Sequence, residues 1–438
     1  MASGFGYLGA ILGFGEEGTY GAAVAVTKFL ELNVDSLGLE EDRLHSGAIP
    51  AVYNDDDEVI RAGINPGGAV GFEMRYEGME VLLKHAMGSV STAEVASFTV
   101  DATNNKINFN IGAAELIGTL VNGTYIAGTT QATAASMCKM IYDAIVAAEA
   151  GGTYTVSFSP TTKKFTITRS AGTFEILWKT GTNGSDGTDT HCGTLCGFSD
   201  AANDTGVLTY TSDTAVVSLY DHTFTLANDL PTGLTLEVDR DLKAFTYKGS
   251  KITGLKMNID SGGFLMCNLD IVAKEVTNAA ATSQTLPTAG LVNFTQGAIT
   301  FGAIGAINIT KLDFSLNNNL KVDRRFIGSR NRAEPIRNGK REITGTFNLE
   351  YTDELLYDDF RAATSRALAA TFTGGIIKAG FTYTVTITFG QVKLTKALPL
   401  NSSPGVIMYD IPFKAYAADS STLEFTIVIR NTVASISA

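Results

Sequence analysis

The chain has 438 residues, beyond the length at which one hydrophobic core usually stops growing, so two to four domains are expected. Its composition, 45% hydrophobic and 18% charged with 45 glycines and 9 prolines, describes an ordered protein rich in strands and turns and excludes a disordered one. A formal net charge of −12 disfavours general binding to nucleic acid or anionic membrane, which needs lysine and arginine to neutralise phosphates. Cys138, Cys192, Cys196 and Cys267 make no disulfide framework. The first lysine is Lys28, so no basic signal-peptide start is seen, and no apolar run approaches the ~20 residues of a bilayer span. The expectation is a soluble, cytoplasmically made protein.

Near the start, Gly4-Phe5-Gly6-Tyr7-Leu8-Gly9 and Gly13-Phe14-Gly15-Glu16-Glu17-Gly18 both have G-x-G-x-x-G spacing. Neither opens a helix after a strand, so these glycines are expected to form an N-terminal arm rather than a dinucleotide site. Leu30 to Asp35 then alternates apolar and polar residues as a half-buried strand does. A long acidic loop follows. Between Leu39 and Ile64 stand Glu40, Glu41, Asp42, Asp55, Asp56, Asp57 and Glu58 against Arg43 and Arg61. The Asp55–Glu58 run lacks the spaced acidic pattern of a calcium loop, which favours solvated or interfacial acid. Phe72-x-Met74-x-Tyr76 resumes the strand period, and Met79 to Ala86 is amphipathic.

Residues 92–216 have their own logic. Asn105 to Phe109 reads as a strand, and Met137, Ile141, Ala144, Ile145 and Ala148 form a helical stripe that Gly151-Gly152 should stop. Tyr154 to Phe158 and Lys164 to Thr168 alternate around Pro160 and predict a hairpin. His191, Cys192 and Cys196 could offer three metal ligands, but no second pair stands at zinc-site spacing, so structural cysteines are expected and no metal is assigned. Nor do His45, His85 and His222 accompany any nucleophile motif.

The remaining chain repeats the first part. Leu312 to Asn317 matches Leu30 to Asp35 at an offset of 282, and Phe347-x-Leu349-x-Tyr351, followed by amphipathic Leu355 to Ala362, matches Phe72 onward at 275. Lys251-Ile252-Thr253, Ser261, Gly263, Met266 and Ala273 align with Lys393-Leu394-Thr395, Ser403, Gly405, Met408 and Ala415 at 142. Three matches in one order indicate duplication, and the fall in offset places an insertion inside the first copy. The expected domains are 1–91 with 217–285, an inserted α+β module at 92–216, and 286–438. The second copy's equivalent loop is basic: Lys321, Arg324, Arg325, Arg330, Arg332, Arg337, Lys340 and Arg341 face only Asp323 and Glu334.

The opening Gly13 to Gly21, the strand, the charged loop and Gly71-Phe72-Glu73 before a short helix resemble phage tail tube proteins. Gly339 to Gly345 and the final Phe425 to Arg430 strand of the second copy are similar too. The resemblance implies mainly β architecture: two tandem tube-like β-sandwich domains, each with a short flanking helix, whose strands join those of neighbours around a lumen. It implies no catalytic site and no cofactor. Its partners would be further copies of itself, other tail proteins and genomic DNA in transit, with no membrane. Single-domain members generally form hexameric rings, so a two-domain chain would need three copies per ring. In such a ring or stack the acidic and basic loops would meet and set register; solvated surface charge and phosphate binding by the arginines are the competing readings. The polar faces of the paired strands, Glu31, Asn33 and Asp35 with Asp313, Ser315 and Asn317, hold no cation and are candidates for the lumen wall. A tail-tip or terminator protein, or a carbohydrate binder acting through the insert, are the alternative functions.

Overall fold

The computed structural model describes residues 11–45, 59–112, 114–398, 405–417 and 425–436. Asp55, Asp56, Asp57, Glu58 and the first glycine motif lie outside them. The chain is mainly β, with three α-helices among the described residues: α1 (Glu80–Met87), α2 (Met137–Ala148) and α3 (Leu355–Ala362). Alternating sequences become strands because one face can be buried: Met408–Ala415 and Phe425–Asn431 both alternate buried and half-exposed positions.

The two copies follow one pairing scheme. In the first, Val34–Asp35 pairs with Val59–Glu73, which pairs with Met266–Val272, which pairs with the C-terminal half of Ala244–Asp260. In the second, Ile309–Asn317, Glu342–Glu350, Met408–Ala415 and the end of Phe381–Leu394 pair in the same order. The two sheets are joined edge to edge, because Gly254 to Asp260 pairs antiparallel with Lys311 to Asn317. A single long sheet therefore crosses both copies. Each copy also has a second layer, made in the first by Lys28–Glu31, Ile11–Glu16, Leu234–Asp239 and the start of Ala244–Asp260. Gly297–Phe301, Arg366–Lys378, Phe381–Leu394 and Phe425–Asn431 are its counterpart in the second. Leu12, Phe14 and Leu236 from one layer and Phe72, Leu269 and Leu312 from the other share one core that runs through both copies.

Four features depart from the sequence reading. Gly13 and Gly15 belong to a buried central strand rather than an arm; a Cβ on Gly13 would lie 2.9 Å from the Phe29 ring, and one on Gly15 2.6 Å from the Ala25 carbonyl oxygen. The expected strand at 30–35 breaks at Leu32-Asn33, where the chain leaves Ile11–Glu16 in one layer for Val59–Glu73 in the other. Much of the acidic "loop" is a two-stranded arm, Gly38–His45 against the start of Val59–Glu73. α2 ends at Ala148 with Glu149 extended, before the two glycines, and its start is capped by Ser136, whose Oγ accepts from the Lys139 N–H at 3.2 Å.

The insert has a separate core of Phe98, Phe109, Ile141, Phe165, Trp178 and their neighbours. Its hairpin forms as expected, Tyr154–Ser159 against Lys164–Arg169. Its stem is a pair of strands, Gly88–Val95 and Leu219–Leu226, and the second pairs with Phe425–Asn431. The insert thus departs from the first copy directly after α1, yet its stem extends the second copy's sheet. Asn431 fastens this crossing: its Nδ2 donates to the Tyr76 carbonyl (3.0 Å) and to Glu80 (2.7 Å), while its Oδ1 meets His222 Nε2 at 2.9 Å.

Candidate assembly surfaces

The acidic and basic segments meet within one chain. Val59–Glu73 begins outside the long sheet, with Gly38–His45 on one side. The arginine-rich segment covers the other. Arg330 Nε donates to the Ala62 carbonyl (2.8 Å), the Ile64 N–H donates to the Arg330 carbonyl (3.1 Å), and Arg325 Nη2 donates to the Ile64 carbonyl and to Asn65 Oδ1 (both 2.9 Å). Arg332 joins at Asn65 Oδ1, also at 2.9 Å. Side-chain charge pairs are secondary: Arg325 to Asp42 at 3.3 Å and Arg330 to Glu41 at 3.4 Å, while Glu41 is also held by Arg61. Such exposed pairs contribute only ~0–1 kcal/mol each, so the carbonyl contacts dominate. Arg325 lies flat over Gly63, where any Cβ would overlap its guanidinium.

The other basic residues point elsewhere. Arg324 donates to the Glu334 carbonyl (2.6 Å), and Lys321 stands 3.4 Å from Asp323. Arg337 and Arg341 both donate to the Ala227 carbonyl beside the insert's stem, and Arg341 Nε also reaches Asn318 at 3.0 Å. Burial, reinforced by Arg337, pushes the Arg341 guanidinium down to about 10. Glu40 and Lys340 are exposed.

The second surface is the polar face of the long sheet. Directly opposed residues in antiparallel strands share a face, so the register gathers Lys256, Asn258, Asp260, Asn268 and Asp270 from the first copy beside Asp313, Ser315 and Asn317. Thr344, Thr346, Asn348, Glu342, Asp410 and Lys414 continue it. Glu73 closes it at the far side, opposite Met266. Seven carboxylates (Glu73, Asp260, Asp270, Asp313, Glu342, Glu350 and Asp410) therefore share this face with four lysines, Lys256, Lys311, Lys393 and Lys414. Three of them are ion-paired, Lys256 with Asp270 (2.9 Å), Lys311 with Asp260 (3.9 Å) and Lys414 with Glu342, while Lys393 lies over the Tyr416 ring at 5.9 Å. Burial raises the Asp313 carboxyl above its ordinary value, and nearby Asp410 and Asp260 push the same way against Lys311. Lys311 continues the Leu312 to Asn317 alternation one residue earlier, and the other cations come from neighbouring strands.

Glu31, Asn33 and Asp35 do not form one stripe with these. Glu31 pairs with Arg75 (2.7 Å), Asn33 Nδ2 donates to Glu73 (3.1 Å), and Asp35 turns to Arg240 (2.6 Å) in the second layer, because the strand breaks between them.

A family profile described as phage tail tube protein matches residues 8–415. The chain belongs to the phage tail tube protein family. Comparison with curated proteins finds no match.

Within a structural tail tube protein the remaining candidate chemistry reads as packing. Cys138, Cys192, Cys196 and Cys267 are buried and free. Asp189, His191 and Asp200 cluster closely enough to suggest a cation site. However, the Gly193 N–H donates to His191 Nδ1 at 3.1 Å, which puts the neutral ring's proton on Nε2, 3.5 Å from Asp189. Burial depresses the His191 imidazole, against the pull of Asp189 and Asp200, and keeps it neutral. Nε2 is then a donor rather than a ligand. His85 and His222 are likewise absorbed, by Glu16 and by Asn431 with Thr92. Trp178 is 1% exposed, stacks on Phe198 at 5.0 Å and donates to Asp204 at 2.9 Å. Among the described residues no helix is long and apolar enough to cross a membrane.

Proposed function

We propose that this chain is the repeating subunit of a phage tail tube in the virion, three chains forming a ring of six tube domains and rings stacking into a conduit for the genome. The tube domains would be residues 1–91 with 217–285, and 286–438, while 92–216 project as a decoration. The observation that carries this reading is the edge-to-edge joining of two sheets of the same pairing order into one sheet that, among the described residues, does not close. On this reading the polar face lines the lumen: its excess of carboxylates and its engaged lysines let DNA phosphates slide rather than bind. The charge left exposed on the two loops, Glu40 on one and Lys321 and Lys340 on the other, serves contacts with neighbouring copies and other tail proteins. A sugar-binding role for the insert draws no support from Trp178, whose ring is covered.

Electron microscopy of the purified protein tests the reading. Rings or tubes are the expected result, and a persistent monomer under conditions of high concentration and moderate salt overturns it.

A further inference from the structure

Cysteine is placed unevenly in this chain. Cys267 stands alone in the core shared by the two copies, whereas Cys138, Cys192 and Cys196 all belong to the separate core of the insert. All four are fully buried and none is in a disulfide. Cys138 is engaged with the backbone, its thiol donating to the Gly128 carbonyl at 3.3 Å. Cys192 and Cys196 are engaged with each other, through a hydrogen bond between the Cys196 thiol and the Cys192 sulfur.

The pair shares one helical turn. The Cys196 N–H donates to the carbonyls of Cys192 (3.1 Å) and Gly193 (2.9 Å), and the 3-10 turn Thr194–Cys196 ends at Gly197, whose φ of +80° is left-handed. Side chains four apart in such a turn stand on one side of it, ~5–6 Å apart at Cβ, and a disulfide needs ~3.5–4.5 Å. Glycines at 193 and 197 leave the backbone around the turn room to tighten by that amount. The outer side of the turn is shallow, since Thr194 is exposed. Its inner side is the insert's aromatic core: a Cβ on Gly193 would lie 2.7 Å from the Trp178 ring, which stacks on Phe198 at 5.0 Å. In the closed turn the shared hydrogen bond and burial push the Cys196 thiol well above its ordinary value, so it stays protonated and unreactive. The charge of Lys378, which lies over the Phe98 ring at 3.7 Å, pulls the other way and favours the thiolate once the turn opens.

We propose that Cys192 and Cys196 are a redox-sensitive pair, two thiols while the chain is made and a disulfide once the finished protein meets a small-molecule disulfide such as oxidised glutathione. When the turn opens, the Cys196 thiolate attacks one sulfur of the oxidant; its S–S bond breaks, a mixed disulfide forms on Cys196 and one thiolate leaves. The Cys192 thiolate then attacks the Cys196 sulfur and expels the second. The two protons given up by the cysteines go to the departing thiolates, so the protein loses two electrons and the oxidant becomes two thiols. A virion protein passes from a reducing cytoplasm to surroundings in which disulfides persist, which supplies the change the pair responds to. The new bond closes a short loop against Trp178 and so fastens the insert's core, while the core shared by the two copies is left as it was. Nothing in this step depends on how chains assemble.

Overnight incubation of the full chain with excess oxidised glutathione, followed by non-reducing peptide mass mapping, tests the proposal. The tryptic peptide that holds both cysteines should lose the mass of two hydrogens and resist alkylation, while Cys138 and Cys267 remain free thiols. The Trp178 fluorescence melting transition should rise by about 5 °C, the main calorimetric transition should move by less than about 1 °C, and dithiothreitol should reverse the change. Cys196→Ala and Cys192→Ala should each abolish the rise, whereas Cys138→Ala and Cys267→Ala should keep it. Two thiols still free at 192 and 196 after oxidation, a disulfide that uses Cys138 instead, or an equal rise in Cys196→Ala would overturn the proposal. Should an alanine variant fail to fold, the peptide map of the unmutated chain decides by itself.

Discussion

Replacing Phe314 by alanine should separate the stability of the duplicated core from that of the insert. Phe314 is 3% exposed, lies on the second copy's strand at the joint with the first, and packs its ring edge-on against Phe389 at 5.1 Å and against Phe425 at 5.7 Å. Truncating a buried phenylalanine costs ~3–5 kcal/mol through lost transfer energy and the cavity left behind. The two copies share one contiguous core, so the loss should fall on a cooperative unit of roughly 300 residues, for which 1 kcal/mol corresponds to about 1.5 °C. A fall of about 5–8 °C in the calorimetric transition of that unit is expected. The insert supplies an internal control, because Trp178 is the sole tryptophan and sits in the separate core. Its fluorescence transition should move by less than 1 °C, on the order of the error for independent sites. An equal shift in the Trp178 signal, or none in the main transition, would refute the division into one shared and one separate core.

Gly63→Val should unseat Arg325 and release the basic segment from the edge it covers, costing about 1–3 kcal/mol in urea unfolding and exposing Arg330 and Arg332 to trypsin; unchanged digestion would count against that contact. Acid stability should depend on Glu16. Burial alone would raise its carboxyl, but hydrogen bonds from His85 and Lys84 and their charge outweigh this and hold it down to about 2. A depressed carboxyl stabilises the fold above its ordinary value of 4.5, and that contribution is lost as pH falls through about 2. After solvent screening the contribution is about 1–2 kcal/mol, and Glu16→Gln should flatten the dependence in unfolding measured between pH 5 and 2.5. His85, pushed down by burial against the pull of Glu16, adds acid sensitivity that begins near its ordinary 6.5, since the unfolded chain takes up that proton first. Reversing charge on the proposed lumen wall, Asp313→Lys with Asp410→Lys, should leave tubes intact yet slow DNA delivery by roughly tenfold or more, as added cations bind phosphate; unaltered delivery would argue that this face is not the lumen.

The sequence revealed those elements whose burial has a period of its own. Leu312 to Asn317, α2, α3 and the Tyr154–Lys164 hairpin stand where alternation or the helical stripe put them, because each buries one regular face. Gly38–His45 escaped detection because nearly every side chain in it is exposed, so no polarity pattern marks a strand held only by its backbone partner. The glycines at 13 and 15 suggested an arm, yet they serve a strand pressed closely by Phe29 and Ala25. The charge contrast between the loops was legible residue by residue. That the arginines would spend themselves mostly on the carbonyls of Ala62, Ile64 and Ala227 was not, since backbone acceptors have no sequence signature. Lys256 and Lys414 on the polar sheet face, and the insert's stem pairing with Phe425–Asn431, follow from strand neighbours distant in sequence.

The central claim, that one chain supplies two of a ring's six tube domains and three chains close it, is tested most directly by the mass of an isolated ring. Native mass spectrometry should find three chains of 46.3 kDa each per ring. A ring of six chains, or a ring whose mass is not a whole multiple of three chains, would contradict it.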